Sequence, residues 1–287
     1  MPGRHATFRS EQGVNVTEKF KATLKRIRRL SQTTLDFRFE RQHGETIEFE
    51  PGQFFRFTFK DRNGEFERSY SLCNFGEDIR KTRFLDLVVS TVDGGRASQI
   101  LFNCEAGLGV DVSGPFGRLV VPEALPNRLF LIATSVGIAP YMPMLTVLTS
   151  LLDSQKVEVM LLFGVRTREE FLYHQEILAI NSEFDNFTLS MCYSRDKLEN
   201  QLPFEHKGYV TDQLNRFTPD PGTDHVLLCG NPQMIDDCFK LLKSRGFTAR
   251  QVVREKYVFA KDKKRTKQKS LSEAQKRLIA EKMKQYR

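Results

Sequence analysis

The hydrophobic pattern of this chain changes period near residue 125, and that change constrains the fold more than any single motif. Before it, apolar residues alternate in short runs: Phe20, Ala22, Leu24; Leu35, Phe37, Phe39; Phe55, Phe57, Phe59; Leu85, Leu87, Val89; Val110, Val112. A period of two buries one side of each strand, and turn signals such as Pro51-Gly52 and Asn63-Gly64 favour antiparallel pairing. With a further strand ending at Arg68-Ser69-Tyr70-Ser71, residues 17–124 are expected to form a six-stranded antiparallel β-barrel. Beyond Arg128, apolar strands at 129–133, 157–163, 187–193, 226–229 and 251–253 alternate with helical patterns at 141–152, 169–180, 210–217 and 234–244. That alternation predicts a five-stranded parallel, doubly wound sheet over 125–260, so the fold class is all-β plus α/β.

A chain of 287 residues is long enough for two cores. No run approaches the roughly 18 apolar residues of a membrane span, and Met1 to Asn15 lacks an apolar leader core. A cytoplasmic protein is expected. The cysteines, Cys73, Cys104, Cys192, Cys229 and Cys238, form no C-x-x-C pair and no metal-ligand spacing. No metal is therefore expected, and any redox cofactor should be organic. Residues 1–16 read as a flexible arm. The formal charge of +8 belongs to the end of the chain, where 260–287 holds eleven Lys and Arg against three acids. Within that basic tail, 261–287, Ser270-Leu271-Ser272-Glu273 has the form of a capping box opening a short helix.

Two groups of residues carry chemistry. On a strand, Arg68 and Tyr70 share one face while Ser69 and Ser71 share the other. A flavin dinucleotide calls for such a set: a guanidinium for pyrophosphate, a ring to stack on the isoalloxazine, and a hydroxyl near the reactive nitrogen. Gly94-Gly95-Arg96-Ala97-Ser98 can open a helix with free amides beside a cation, which suits phosphate. An exposed strand with ordinary polar decoration, followed by a hairpin turn, would look the same locally. In the second half, Thr134-Ser135-Val136-Gly137-Ile138-Ala139-Pro140, Gly164-Val165-Arg166, Ser194-Arg195 and Gly230-Asn231-Pro232-Gln233-Met234 all follow strands. They therefore share the carboxyl edge of the sheet, where such folds bind nucleotides. The three-glycine dinucleotide fingerprint is absent.

Taken in order with Glu255-Lys256-Tyr257, these motifs resemble the ferredoxin-NADP reductase family, most closely its bacterial members, over roughly residues 17–260. The resemblance implies an FAD and NADP(H) enzyme that exchanges electrons with an acidic carrier protein, a ferredoxin or flavodoxin. By the same likeness, Arg68, Ser69, Tyr70 and Ser71 hold FAD, and Gly95, Arg96, Ala97 and Ser98 complete its phosphate site. Thr134, Val136, Gly137, Pro140, Gly230 and Met234 flank the nicotinamide nucleotide, and Cys229 faces the nicotinamide. Arg166, Ser194 and Arg195 hold the adenosine ribose and its 2'-phosphate, with Lys207 and Tyr209 as further candidates; paired positive charge favours NADPH over NADH. Ser71, Cys229 and Tyr257 form the catalytic set, while either Tyr257 or Phe259 covers the flavin. Thr134 and Ser135 stand where the family often has glycines. An NADH-linked oxygenase reductase and a free-flavin reductase are the enzymatic alternatives. A flavin or nucleotide sensor with a nucleic-acid-binding tail is the non-enzymatic one. It is disfavoured because the chain has no helix-turn-helix or aromatic RNA motif.

Overall fold

The computed structural model describes residues 17–76 and 81–257. The arm at 1–16, Phe259 and the basic tail with its capping box lie outside those residues.

The first half holds β1 (Glu18–Arg29), β2 (Thr34–Arg41), β3 (Ile47–Glu48), β4 (Phe54–Asp61), β5 (Gly64–Ser71), β6 (Lys81–Thr82), β7 (Phe84–Ser90), α1 (Arg96–Leu101) and β8 (Gly109–Phe116). Six of its strands form one antiparallel sheet in the order β5-β4-β8-β1-β2-β7, and β3 pairs with β6 separately. The expected alternation is what curls this sheet: Phe37, Phe39, Phe55, Phe57, Leu85 and Leu87 all point into one core. The curl does not close. Strands β5 and β7 end the sheet as neighbours that share no ladder, leaving a seam between them. Just past β5 the seam is fastened, because the Cys73 amide donates to the Asp86 carbonyl at 2.9 Å.

The second half holds β9 (Arg128–Thr134), α2 (Tyr141–Asp153), β10 (Glu158–Val165), α3 (His174–Glu183), β11 (Phe187–Tyr193), β12 (Glu205–Lys207), α4 (Val210–Arg216), β13 (Asp224–Gly230), α5 (Pro232–Ser244) and β14 (Val252–Lys256). The sheet is parallel in the order β12-β11-β10-β9-β13-β14, with six strands rather than the expected five. The extra strand, Glu-His-Lys, is three polar residues at an edge and carries no hydrophobic signal. Helix α3 also begins later than its periodicity predicts. A short 3-10 turn at Arg168–Glu170 precedes it, and Tyr173 takes a left-handed φ of 56° that breaks the helix there.

Continuous apolar strands form because both faces of this sheet are covered. Along β9, Leu129, Leu131 and Ala133 enter one core with α2 and α3, while Phe130 and Ile132 enter another with α4 and α5. The first of these cores also takes in Cys73, Val88 and Leu119 from the barrel, so the two halves share buried side chains. Gly52 lies at this junction with φ +104°, and a Cβ there would meet the Leu119 carbonyl oxygen at 1.9 Å. Among the described residues, one helical stretch, Ser135–Asp153, is long and apolar enough to cross a membrane, and 72% of its window is buried in this core.

Where β9 begins, Arg128 grips Asp224 of the neighbouring β13 through two bonds of 3.1 and 2.6 Å. The Asp224 side chain has no exposed surface. Removing the cation would leave a buried carboxylate short of its main partner. Arg128→Ala is expected to cost about 3 kcal/mol of stability, read as a lower urea midpoint at unchanged slope.

Candidate active site

The seam between β5 and β7 opens into a cleft of about 540 Å³. Strand β5 supplies Glu67, Arg68, Ser69, Tyr70 and Ser71 to its wall; β7 and the loop after it supply Val88, Val89, Ser90 and Val92; α1 and its approach supply Gly95, Arg96, Ala97 and Ser98. Val136 and Ala139 from the β9 loop and Glu255, Lys256 and Tyr257 from the end of β14 close the other side. Both sheet halves thus meet in one cavity, and the barrel side of it is two strand edges whose amides and carbonyls have no ladder partner across the seam.

At the inner end a hydrogen-bonded chain crosses between the halves. The Tyr257 hydroxyl donates to Ser71 Oγ at 2.8 Å, and Ser71 Oγ donates to Glu255 Oε1 at 2.7 Å. The Tyr257 amide donates to the Gly230 carbonyl at 2.9 Å, and its hydroxyl also interacts with the Cys229 thiol. Burial pushes the Glu255 carboxyl above its ordinary range, although the Ser71 hydrogen bond opposes this. Burial, reinforced by nearby Glu255, also raises the Cys229 thiol well above its usual value, so it is a neutral thiol rather than a thiolate. Tyr70 is held by edge-on contacts of its ring with Phe57 and Phe59 at 5.7 and 6.4 Å, and burial raises its hydroxyl too.

The outer end is cationic. Arg68 donates to the Glu67 carbonyl at 2.7 Å and lies over the Phe66 ring. Arg96 forms a two-bonded ion pair with Asp61 at 2.6 and 2.7 Å, which holds that carboxyl below its usual range. The Ser98 hydroxyl turns inward to the Val92 and Gly95 carbonyls at 3.1 and 3.0 Å, so it shapes its own turn. Gly95 must be glycine because a Cβ would fall 2.9 Å from both Ser98 Oγ and Val92 Cβ. A cation, an aromatic ring, a hydroxyl and free strand edges along one elongated cavity suit a flavin dinucleotide.

A second group lies along the carboxyl edge of the parallel sheet. The Ser194 amide donates to the Val165 carbonyl at 3.1 Å and the Arg195 amide to the Arg166 carbonyl at 2.9 Å, which sets Arg166 and Arg195 side by side. Both are exposed, and among the described residues neither guanidinium forms an ion pair. Tyr209 stands nearby in sequence, after β12, with 68% of its surface exposed.

Two families match the chain in consecutive stretches: an Oxidoreductase FAD-binding domain over residues 21–121 and an Oxidoreductase NAD-binding domain over residues 131–240. Ferredoxin-NADP reductase B of Sorangium cellulosum is 29% identical over 248 residues, covering 84% of this chain and 98% of its own length. The reductase component of propane 2-monooxygenase from Rhodococcus jostii is 27% identical over 73% of this chain, which spans only 56% of that protein. The crystal structure of an Amycolatopsis cytochrome P450 reductase superposes with a TM-score of 0.73 at 26% identity, covering 85% of this chain and 71% of the other. This chain belongs to the ferredoxin-NADP reductase family. It is an oxidoreductase with an FAD-binding and an NAD(P)-binding domain.

Within that family fold, the seam gathers Arg68, Ser69, Tyr70, Ser71, Gly95, Arg96, Ala97, Ser98, Val136 and Tyr257 from the expected site. Thr134, Gly137, Pro140, Gly230 and Met234 do not line the cleft; most of them build the loop crossing behind it. A Cβ on Gly137 would meet the Cys229 carbonyl oxygen at 2.5 Å, and one on Gly230 would meet Thr134 Oγ1 at 2.5 Å. Thr134 Oγ1 in turn accepts from the Asn231 amide at 2.9 Å. Cys229 is fully buried against Tyr257 instead of opening onto the cleft. Arg166, Ser194 and Arg195 lie together at the separate edge described above. Glu255 and Asp61 are the site residues that pattern reasoning missed. Glu255 sits inside a quoted motif, yet its partner Ser71 is 184 positions away in sequence.

A carboxyl whose folded pKa is raised keeps its proton longer in the folded chain than in the unfolded one. Stability therefore declines as pH rises from its ordinary value of 4.5 upward. Glu255→Gln should remove that contribution, giving urea midpoints that fall less steeply than wild type as pH rises from about 4.5 to neutrality.

Proposed function

We propose that this protein is an NADPH-dependent FAD enzyme that exchanges single electrons with a small acidic carrier, a ferredoxin or flavodoxin, in the cytoplasm. The barrel, 17–124, would hold FAD and the α/β half, 125–260, would hold NADP(H). The observation that carries this proposal is the single cleft in which Tyr70 and Ser71 of the barrel edge meet Glu255 and Tyr257 of the parallel sheet.

FAD, when bound, supplies the conversion between two-electron hydride chemistry and one-electron transfer. The residues of this chain supply position. Tyr70, braced by Phe57 and Phe59, presents its ring to the isoalloxazine, and Ser71 offers a hydroxyl already oriented by Glu255. Arg68 and the Gly95-Arg96-Ala97-Ser98 turn take the pyrophosphate. Tyr257 covers the inner end and screens Cys229, so a nicotinamide ring reaches the site by displacing the Tyr257 side chain. Thr134, Val136, Gly137, Pro140, Gly230 and Met234 shape the wall against which that nucleotide lies. Arg166 and Arg195, without an ion-pair partner among the described residues, suit a 2'-phosphate together with Ser194 and Lys207, while exposed Tyr209 offers a ring to the adenine. Among the described residues no cluster of His, Cys, Asp and Glu is arranged to hold a metal ion. The similarity to a monooxygenase reductase component keeps an oxygenase partner as the second proposal, separated by which acceptor is reduced.

Purified protein should be yellow and should bleach when NADPH is added without oxygen; a chain that cannot take up FAD would defeat the proposal. Losing a charge-assisted contact to phosphate weakens binding on the order of tenfold or more. Arg195→Ala should therefore raise the KM for NADPH about tenfold and leave that for NADH nearly unchanged, as steady-state kinetics with both nucleotides would show.

A further inference from the structure

The β5–β7 seam is fastened in two places. At the inner end the Cys73 amide reaches Asp86; at the outer end Arg96, the first residue of α1, reaches Asp61, the last residue of β4. The outer fastening is over-determined. Arg96 Nε and Nη2 bond Asp61 at 2.7 and 2.6 Å, Nη2 also donates to the Gly64 carbonyl at 3.1 Å, and the guanidinium lies 3.9 Å above the Phe66 ring. Asp61 is itself fixed by the Asn63 amide at 2.7 Å. Arg96 lines the cleft, whereas Asp61 does not. Nη1 of Arg96 has no partner among the described residues.

An acid directly behind a phosphate-binding cation weakens the local positive field, so charge alone gives no reason for Asp61 to stand there. Orientation does. A guanidinium fixed by two bonds and a ring face presents its remaining amine without further ordering on binding. We propose that Asp61 is a positioning residue that holds Arg96 as a clamp across the outer end of the seam, so that the cleft favours the diphosphate-bearing FAD over an uncharged flavin. This rests on the flavin assignment made above.

The test is titration of the full-length, flavin-stripped chain with FAD and with riboflavin, followed by quenching of flavin fluorescence. Asp61→Asn keeps an acceptor for the Asn63 amide but loses the ionic grip. It should raise the Kd for FAD roughly tenfold and leave that for riboflavin unchanged. Arg96→Lys retains the charge without the fork and should show the same selective loss. A simple field effect predicts the opposite sign for Asp61→Asn. Equal or tighter FAD binding by Asp61→Asn, equal weakening of FAD and riboflavin, or wild-type FAD affinity in Arg96→Lys would each overturn the clamp. Failure of the wild-type chain to take up FAD would overturn both the flavin assignment and the clamp, whereas uptake that Asp61→Asn leaves intact overturns the clamp alone.

Discussion

A curled sheet that stops short of closure leaves two rows of backbone donors and acceptors facing each other, and the architecture of this protein is arranged around that gap. Open strand edges invite unwanted pairing unless something occupies or covers them. Here β5 and β7 approach without forming a ladder, joined at the inner end by the Cys73–Asp86 backbone bond with two side-chain bonds of Asn74 to Phe84 and Asp86, and at the outer end by the Arg96–Asp61 pair. Between those ties the edges line a cleft. Its inner side is closed by the parallel sheet, which shares the buried side chains of Cys73, Val88 and Leu119 with the barrel. Interiors are close-packed, so a shared core resists relative motion of the halves and keeps the width of the gap fixed.

The two ends of the cleft differ in electrostatic character for a physical reason. Inside, Glu255, Cys229 and Tyr257 are removed from water, and burial favours the neutral form of each. A low-dielectric end suits an apolar ring system and limits competing reactions with water. Outside, Arg68 and Arg96 lie over the same Phe66 ring, and their charge stays close to solvent. Farther along the parallel sheet, Arg166 and Arg195 are exposed and side by side. Cations gathered at two separate places, apart from the buried inner end of the cleft, suit two phosphate-bearing ligands.

How much of this is legible in the sequence follows from the range of each interaction. The strands with Phe55, Phe57 and Phe59 or Leu129 through Ala133 announce themselves because burial imposes a local period. Edge strand β12, three polar residues, imposes none and was invisible. The site motifs were legible as a set because four loops after parallel strands must share one edge. Their division of labour was not: Gly137 and Gly230 look like ligand-binding glycines, yet each is required by a close approach of neighbouring backbone or the Thr134 side chain. Glu255 and Asp61 escaped because their importance lies in partners that only folding brings close. Nothing in a run of residues shows that Ser71 will meet a carboxylate 184 positions later.

Tyr257 unites these constraints. Its backbone is tied to Gly230 and its hydroxyl to Ser71, so the residue is anchored at both ends within the cleft. The side chain is the cheaper part to move, because swinging the ring breaks the hydroxyl contacts to Ser71 and Cys229, each worth about 1 kcal/mol, and leaves the amide bond in place. That same movement removes a donor from Ser71 and uncovers Cys229, while the Ser71–Glu255, Tyr173–Cys73 and Gly76–Thr146 bonds and the shared core still tie the halves together. A side chain held by a few contacts, over a frame held by a shared core, is a part of the inner wall that can shift without altering the distance between the walls.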